Sequence, residues 1–144
     1  MPIHTFSAGA VSETPARTVV QTRNFRMVVD EPENLGGSDL GPNPVEYILA
    51  ALAGCLNVVG HLVAREMGFE LRGLRLELEG DLDPARFMGL CRQTRAGYQE
   101  ISVRIYPETD ADPETLERWL HTVEDRCPVS DNLTCSTPVQ IRLG

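Results

Sequence analysis

The chain has 144 residues, enough for one domain with a sizeable core, and its 42% hydrophobic and 24% charged residues are those of an ordinary soluble globular protein. A formal net charge of −8, carried by dispersed acidic residues, argues against a nucleic-acid or anionic-membrane partner. The opening "MPIHTFSAGAVSETP" lacks the basic start and apolar core of a secretory signal. The longest apolar stretch, about Tyr47 to Leu56, falls short of a bilayer span, so a cytoplasmic location is expected, where free thiols stay reduced.

In chain order, "ARTVVQTRNFRMVVDEP" carries two β-rich runs, Arg17 to Gln21 and Phe25 to Val29, on either side of a turn, which predicts a hairpin. "ENLGGSDLGPNP" gathers Gly, Asn, Asp and Pro and predicts a loop. A helix is expected from Pro44 to Met67, with Asn43 as its cap, proline at its first position and Gly68 just past its end. In "FELRGLRLELEGDLD" the alternation of Leu74, Leu76 and Leu78 with charged residues predicts a half-buried strand, and Ile101, Val103 and Ile105 give a second. "PARFMGLCRQTRAG" between them reads as a loop. A second helix opens at Asp112–Pro113, with Leu116, Trp119, Leu120, Val123 and Cys127 on one face, and "TPVQIRL" reads as a short closing strand. Strands, long helix, strands, helix and strand make a single α+β domain rather than alternating βαβ units.

From Val45 to Val63 the long helix is apolar nearly all round, interrupted mainly by Glu46, Asn57 and His61. Such a helix needs cover on every side. One thin α+β layer covers one face well, so a homodimer around this helix is expected; a monomer whose sheet wraps the helix is the alternative.

Cys55, Cys91, Cys127 and Cys135 contain no C-x-x-C pair, which argues against a structural zinc site or a thioredoxin-like motif. His4, His61 and His121 are scattered and add no ligand cluster, so neither metal nor cofactor is implied. Cys55 lies inside "LAALAGCLNV" and admits two readings: a small hydrophobe packed in a core helix, or a nucleophile held in an apolar site. Cys127 ends a helix, where the negative dipole end opposes thiolate formation and suits a second thiol better than a first.

"GPNPVEYILAALAGC", followed much later by "VEDRCPVSDNL", resembles the OsmC/Ohr family of organic hydroperoxide reductases, and "RAGYQEISVRIY" resembles the strand that precedes the second helix there. The resemblance runs from about Leu35 to the C-terminus. It implies an intertwined α+β homodimer with two active sites at the subunit interface. It also implies thiol-based reduction of organic peroxides, with Cys55 reactive and Cys127 resolving, and a lipoyl-type dithiol as external reductant. An apolar surround would favour alkyl hydroperoxides over hydrogen peroxide and would raise the Cys55 pKa, so that a cation is needed nearby.

In the peroxidase branch that cation is an arginine from an early strand, held by a glutamate two places after the Asn of the helix start. Here Arg17 lies near the expected place, with Arg23 as the alternative, and the glutamate comes one place late, at Glu46. On a regular helix Glu46 and Cys55 are separated by about 900° of turn and face opposite ways. Glu46 either serves a site in the other subunit or favours its own helix N-terminus. This spacing is similar to a less-characterised branch of the family, so a non-catalytic protein that binds a small hydrophobic ligand at the interface is the second functional reading. Cys91 and Cys135 match nothing in the family pattern; Cys135 offers an alternative disulfide partner for Cys127.

Overall fold

A computed structural model describes residues 1–144, which form two compact units, 1–48 and 49–144. The first unit is a three-stranded antiparallel sheet in the order β1 (Gly9–Ser12), β2 (Thr18–Thr22), β3 (Phe25–Val29), and it ends in the first turn of a helix. The expected hairpin is present, with Thr22 opposite Phe25 and Arg23 in the left-handed region at φ 50°. The short β1, pairing Val11 with Val19, was not expected.

After β3 the chain turns back around Asp30, whose side chain is fully sequestered. Its carboxylate accepts the amides of Glu31 at 2.8 Å, Ser38 at 3.3 Å and Leu40 at 3.2 Å, and its own amide donates to Pro42. Two glycines allow this close return: a Cβ on Gly37 would lie 1.8 Å from the Glu31 carbonyl oxygen, and one on Gly41 2.3 Å from that of Val28.

Helix α1 spans Pro44–Met67, as its caps predict. Asn43 accepts the Glu46 amide at 2.9 Å, and the Tyr47 hydroxyl donates to the Val28 carbonyl at 2.7 Å, which ties the first turn to β3. Gly68 closes the helix at φ 79°.

In the second unit α1 buries one stripe, Leu52, Leu56, Val59, Gly60, Val63 and Ala64. Against it lies the hairpin of β4 (Gly73–Asp81) and β5 (Glu100–Glu108), in which Leu76 faces Ile105 and Leu78 faces Val103. The expected apolar faces of both strands are the ones turned to the core. Helix α2 (Pro113–Arg126) starts where Asp112 accepts the Thr115 amide at 2.7 Å, and it buries Trp119 and Val123. Leu120, expected on the same face, is 37% exposed, because the buried stripe steps by four residues and leaves it on the shoulder.

Three features differ from expectation. Cys127 does not continue α2; it takes an extended conformation (φ −80°, ψ 111°) and caps a further helix, α3 (Pro128–Thr134). Proline at 128 disfavours helical backbone at the residue before it and is preset for the first turn of the next helix. "TPVQIRL" forms no strand: Val139, Ile141 and Leu143 alternate as a strand would but lie exposed and unpaired. Finally, α1 is long and apolar enough, over its whole length, to cross a membrane, although Tyr47–Leu56 alone is not; it serves here as a core helix covered on one face.

Candidate active site

The structure brings Cys55 and Cys127 together in the second unit. Cys55 sits at the edge of the buried stripe of α1, half-buried, while Cys127 is 0% exposed in the centre of the core. All four cysteines are free thiols. The thiols of Cys55 and Cys127 lie close enough to influence each other, and the start of α3 brings one amide to each. The Val129 amide favours the Cys55 thiolate, and the Ser130 N–H donates to the Cys127 sulfur at 3.4 Å. Pro128, with no N–H, precedes both donors.

These contacts pull on the Cys55 pKa in opposite directions. Burial, the largest effect, pushes it up; the Val129 amide lowers it; the hydrogen bond and charge of Cys127 push it up again. The net direction is upward, as the apolar surround predicts. Of the two thiols, Cys55 is the one open to solvent. Cys127, expected at a helix C-terminus alone, is placed at the junction of two helices. Its sulfur acts as the N-cap of α3, so one donor amide offsets the dipole end of α2.

Arg17 and Glu46 belong to the first unit. Arg17 lies between two carboxylates, with Glu13 at 3.8 Å and Asp30 at 4.0 Å, and does not pair with Glu46. Burial pushes the Asp30 pKa up, but the amides of Glu31, Leu40 and Ser38 and the Arg17 cation outweigh it and hold the carboxyl below its usual range. Sequence reasoning missed Asp30, which lies in a "DEP" stretch indistinguishable from a solvated turn. Arg23 occupies the hairpin tip with its guanidinium 4.9 Å from the Phe25 ring centroid. Glu46 is exposed in the first turn of α1.

No group of three His, Cys, Asp or Glu side chains is placed to hold a metal ion. An open surface groove lined by Met67, Glu117, Arg118, His121 and Thr122 contains neither thiol. Cys91 sits in the long β4–β5 loop, where the Gln93 amide donates to its sulfur at 3.4 Å. That bond, followed by the Thr94 amide and hydroxyl, lowers its pKa.

A family model described as OsmC-like protein matches residues 36–142. Among solved structures, an OsmC-like protein from Mycoplasma pneumoniae superposes with a TM-score of 0.79 at 18% identity, over 92% of this chain and 89% of that one. An organic hydroperoxide resistance protein from Elizabethkingia anophelis superposes with a TM-score of 0.67 at 18% identity, over 94% and 91%. An organic hydroperoxide resistance protein OsmC from Legionella pneumophila gives 0.66 at 17% identity, over 92% and 91%. No curated protein matches the chain in sequence. At these identities the structural likeness shows the fold.

Proposed function

The chain belongs to the OsmC-like protein family, and from that membership we propose that it is a thiol peroxidase reducing organic hydroperoxides to alcohols. The observation that carries this reading is the juxtaposition of a half-open Cys55 with a fully buried Cys127. Relatives of the same fold are named for organic hydroperoxide resistance.

In this reading the Cys55 thiolate attacks the O–O bond; the alkoxide leaves, takes a proton and departs as the alcohol, and Cys55 becomes a sulfenic acid. The Cys127 thiol condenses with it, releasing water and forming the 55–127 disulfide. An external dithiol, of lipoyl type, then gives up two electrons and two protons by exchange and restores both thiols. From the family resemblance alone, Arg17, which Glu13 and Asp30 hold within the first unit, and Glu46 at the helix start are the candidates for supporting the thiolate. The enzyme works in a reducing cytoplasm as a homodimer, through the uncovered side of α1 where Ala51, Gly54 and Val58 line up.

The test is consumption of cumene hydroperoxide by the reduced protein with a dithiol in excess. Cys55→Ser should abolish it. Cys127→Ser should allow one stoichiometric turnover and leave Cys55 open to further oxidation. An apolar approach to Cys55 should favour cumene hydroperoxide over hydrogen peroxide about tenfold or more, since burial of each methylene contributes about 0.8 kcal/mol. A Cys55→Ser protein that keeps its rate returns Cys55 to a packing role and leaves the second reading, a binder of small hydrophobic ligands with spectator thiols. That reading draws on the upward shift of the Cys55 pKa.

A further inference from the structure

Two helices must meet at a fixed spacing for the thiols to touch, and they are fastened at a second place. The Trp119 indole N–H donates to the carbonyl oxygen of Gly60 at 2.8 Å, a buried bond that joins α2 to α1. Trp119 is 2% exposed and is the largest fully buried side chain. It shares a face of α2 with Val123, four residues on, and Cys127 follows directly after the helix end; all three are buried. On α1, Gly60 lies little more than one turn beyond Cys55.

The fit at this contact is narrow. A Cβ on residue 60 would lie 3.2 Å from Cζ2 of Trp119 and 3.2 Å from Cδ2 of Leu74, so the indole approaches because residue 60 is glycine. On its other side Phe69 meets the ring edge-to-face, with centroids 6.4 Å apart at 75°. A salt bridge between Arg126 and Glu66 fastens the exposed end of the same helix pair.

We infer that Trp119 is a positioning residue for the thiol pair, its bond to Gly60 setting how closely Cys127 approaches Cys55. The inference rests on the roles proposed above for the two cysteines and adds what fixes their separation. Disulfide formation tolerates little error: the two Cβ atoms must come to about 3.5–4.5 Å with a restricted dihedral. Trp119 is about two helical turns, roughly 10 Å, from the last residue of α2, which Cys127 follows directly, so a small change of angle at the indole becomes a sulfur displacement of order 1 Å. Misplacement on that scale strains the disulfide and makes it easier to reduce. The chemistry concerned is the loss of two electrons and two protons from the thiols to an oxidant, here oxidised dithiothreitol, which is reduced to its dithiol.

The experiment is the redox equilibrium of the full chain with reduced and oxidised dithiothreitol, read as the fraction of 55–127 disulfide by mass spectrometry. Trp119→Phe keeps most of the ring's volume and removes the N–H; by straining the disulfide it should lower the equilibrium constant for its formation about tenfold. Gly60→Ala keeps the N–H and pushes the ring away; it should move the constant the same way. Leu78→Ala removes core packing from the β4–β5 hairpin, which carries neither partner of the indole bond, and serves as the stability control. It should lower the Tm with the constant unchanged.

Trp119→Phe and Gly60→Ala proteins that match the unmutated constant, or that change it no more than Leu78→Ala does, overturn the inference. So does an unmutated protein that forms no 55–127 disulfide. This measurement needs no peroxide turnover. A protein that shows the predicted constants but consumes no cumene hydroperoxide therefore refutes the peroxidase reading and leaves the positioning role standing.

Discussion

Cys127 and Cys135 cap opposite ends of α3: the first accepts the Ser130 amide through its sulfur, and the second donates its own amide to the Asp131 carbonyl at 2.9 Å. Eight residues of helical rise put them about 12 Å apart, whereas a disulfide needs Cα atoms within about 4.4–6.8 Å. The pairing that the sequence left open therefore requires α3 to unwind. Peptide mapping after mild oxidation should find Cys127 joined to Cys55 and no major 127–135 product. A dominant 127–135 bridge would show that α3 opens before the core thiols react.

General electrophiles should not choose the proposed nucleophile first. The Gln93 amide, then the Thr94 amide and hydroxyl, favour the thiolate of Cys91, whereas burial and Cys127 disfavour that of Cys55. Limited iodoacetamide at neutral pH should label Cys91 ahead of Cys55. Labelling of Cys55 first would mean that a cation outside these contacts lowers its pKa.

The pH dependence of Cys55 follows from the same contacts. Its thiolate is disfavoured, so its alkylation rate should still be climbing at a pH where an ordinary thiol has levelled off. Cys127→Ala removes two upward influences and spares the Val129 amide, so the whole profile should move to lower pH. Movement to higher pH would show that Cys127 stabilises the thiolate rather than opposing it.

Asp30 gives the first unit an acid-sensitive element. Its pKa is depressed on folding, so its contribution is complete above the unfolded value of about 4 and fades as pH falls through the lower, folded value. Asp30→Asn should lower the Tm at pH 7, and the gap from the unmutated protein should narrow below about pH 4. A gap independent of pH would assign the loss to packing alone.

Leu56 and Val58 are two residues apart on α1 and should behave differently. Leu56 is 5% exposed and Val58 65%. Leu56→Ala should destabilise by about 2–5 kcal/mol in urea unfolding, as a cavity in a packed core does. Val58→Asp should leave that fold stability nearly unchanged and convert the expected homodimer to a monomer by light scattering at micromolar concentration. A dimer unaffected by Val58→Asp would place the association surface elsewhere.

Features with local causes were legible in the sequence. The limits of α1 follow from Asn43, Pro44 and Gly68, and the start of α2 from Asp112 and Pro113, because capping involves residues within one turn of each other. The faces of β4 and β5 follow from strict alternation, which needs only one apolar side. The motifs around Cys55 and Cys127 carried the family.

Tertiary structure decided what depends on residues far apart in the chain. Val139, Ile141 and Leu143 alternate like a strand, but a strand exists only where another offers its backbone groups, and none does so here. The acidity of Asp30 owes most to the amide of its neighbour Glu31, but the added amides eight and ten residues away converge only because Gly37 and Gly41 let the loop close. The apolar run of α1 gave its burial tendency but not which stripe is covered, since that depends on where the β4–β5 hairpin and α2 lie. The approach of Cys127 to Cys55 likewise depends on an indole settling against a helix carbonyl at Gly60, a contact between residues 59 positions apart. Hydrogen bonding and close packing act through space, so such contacts leave no periodicity in the sequence for a local pattern to reveal.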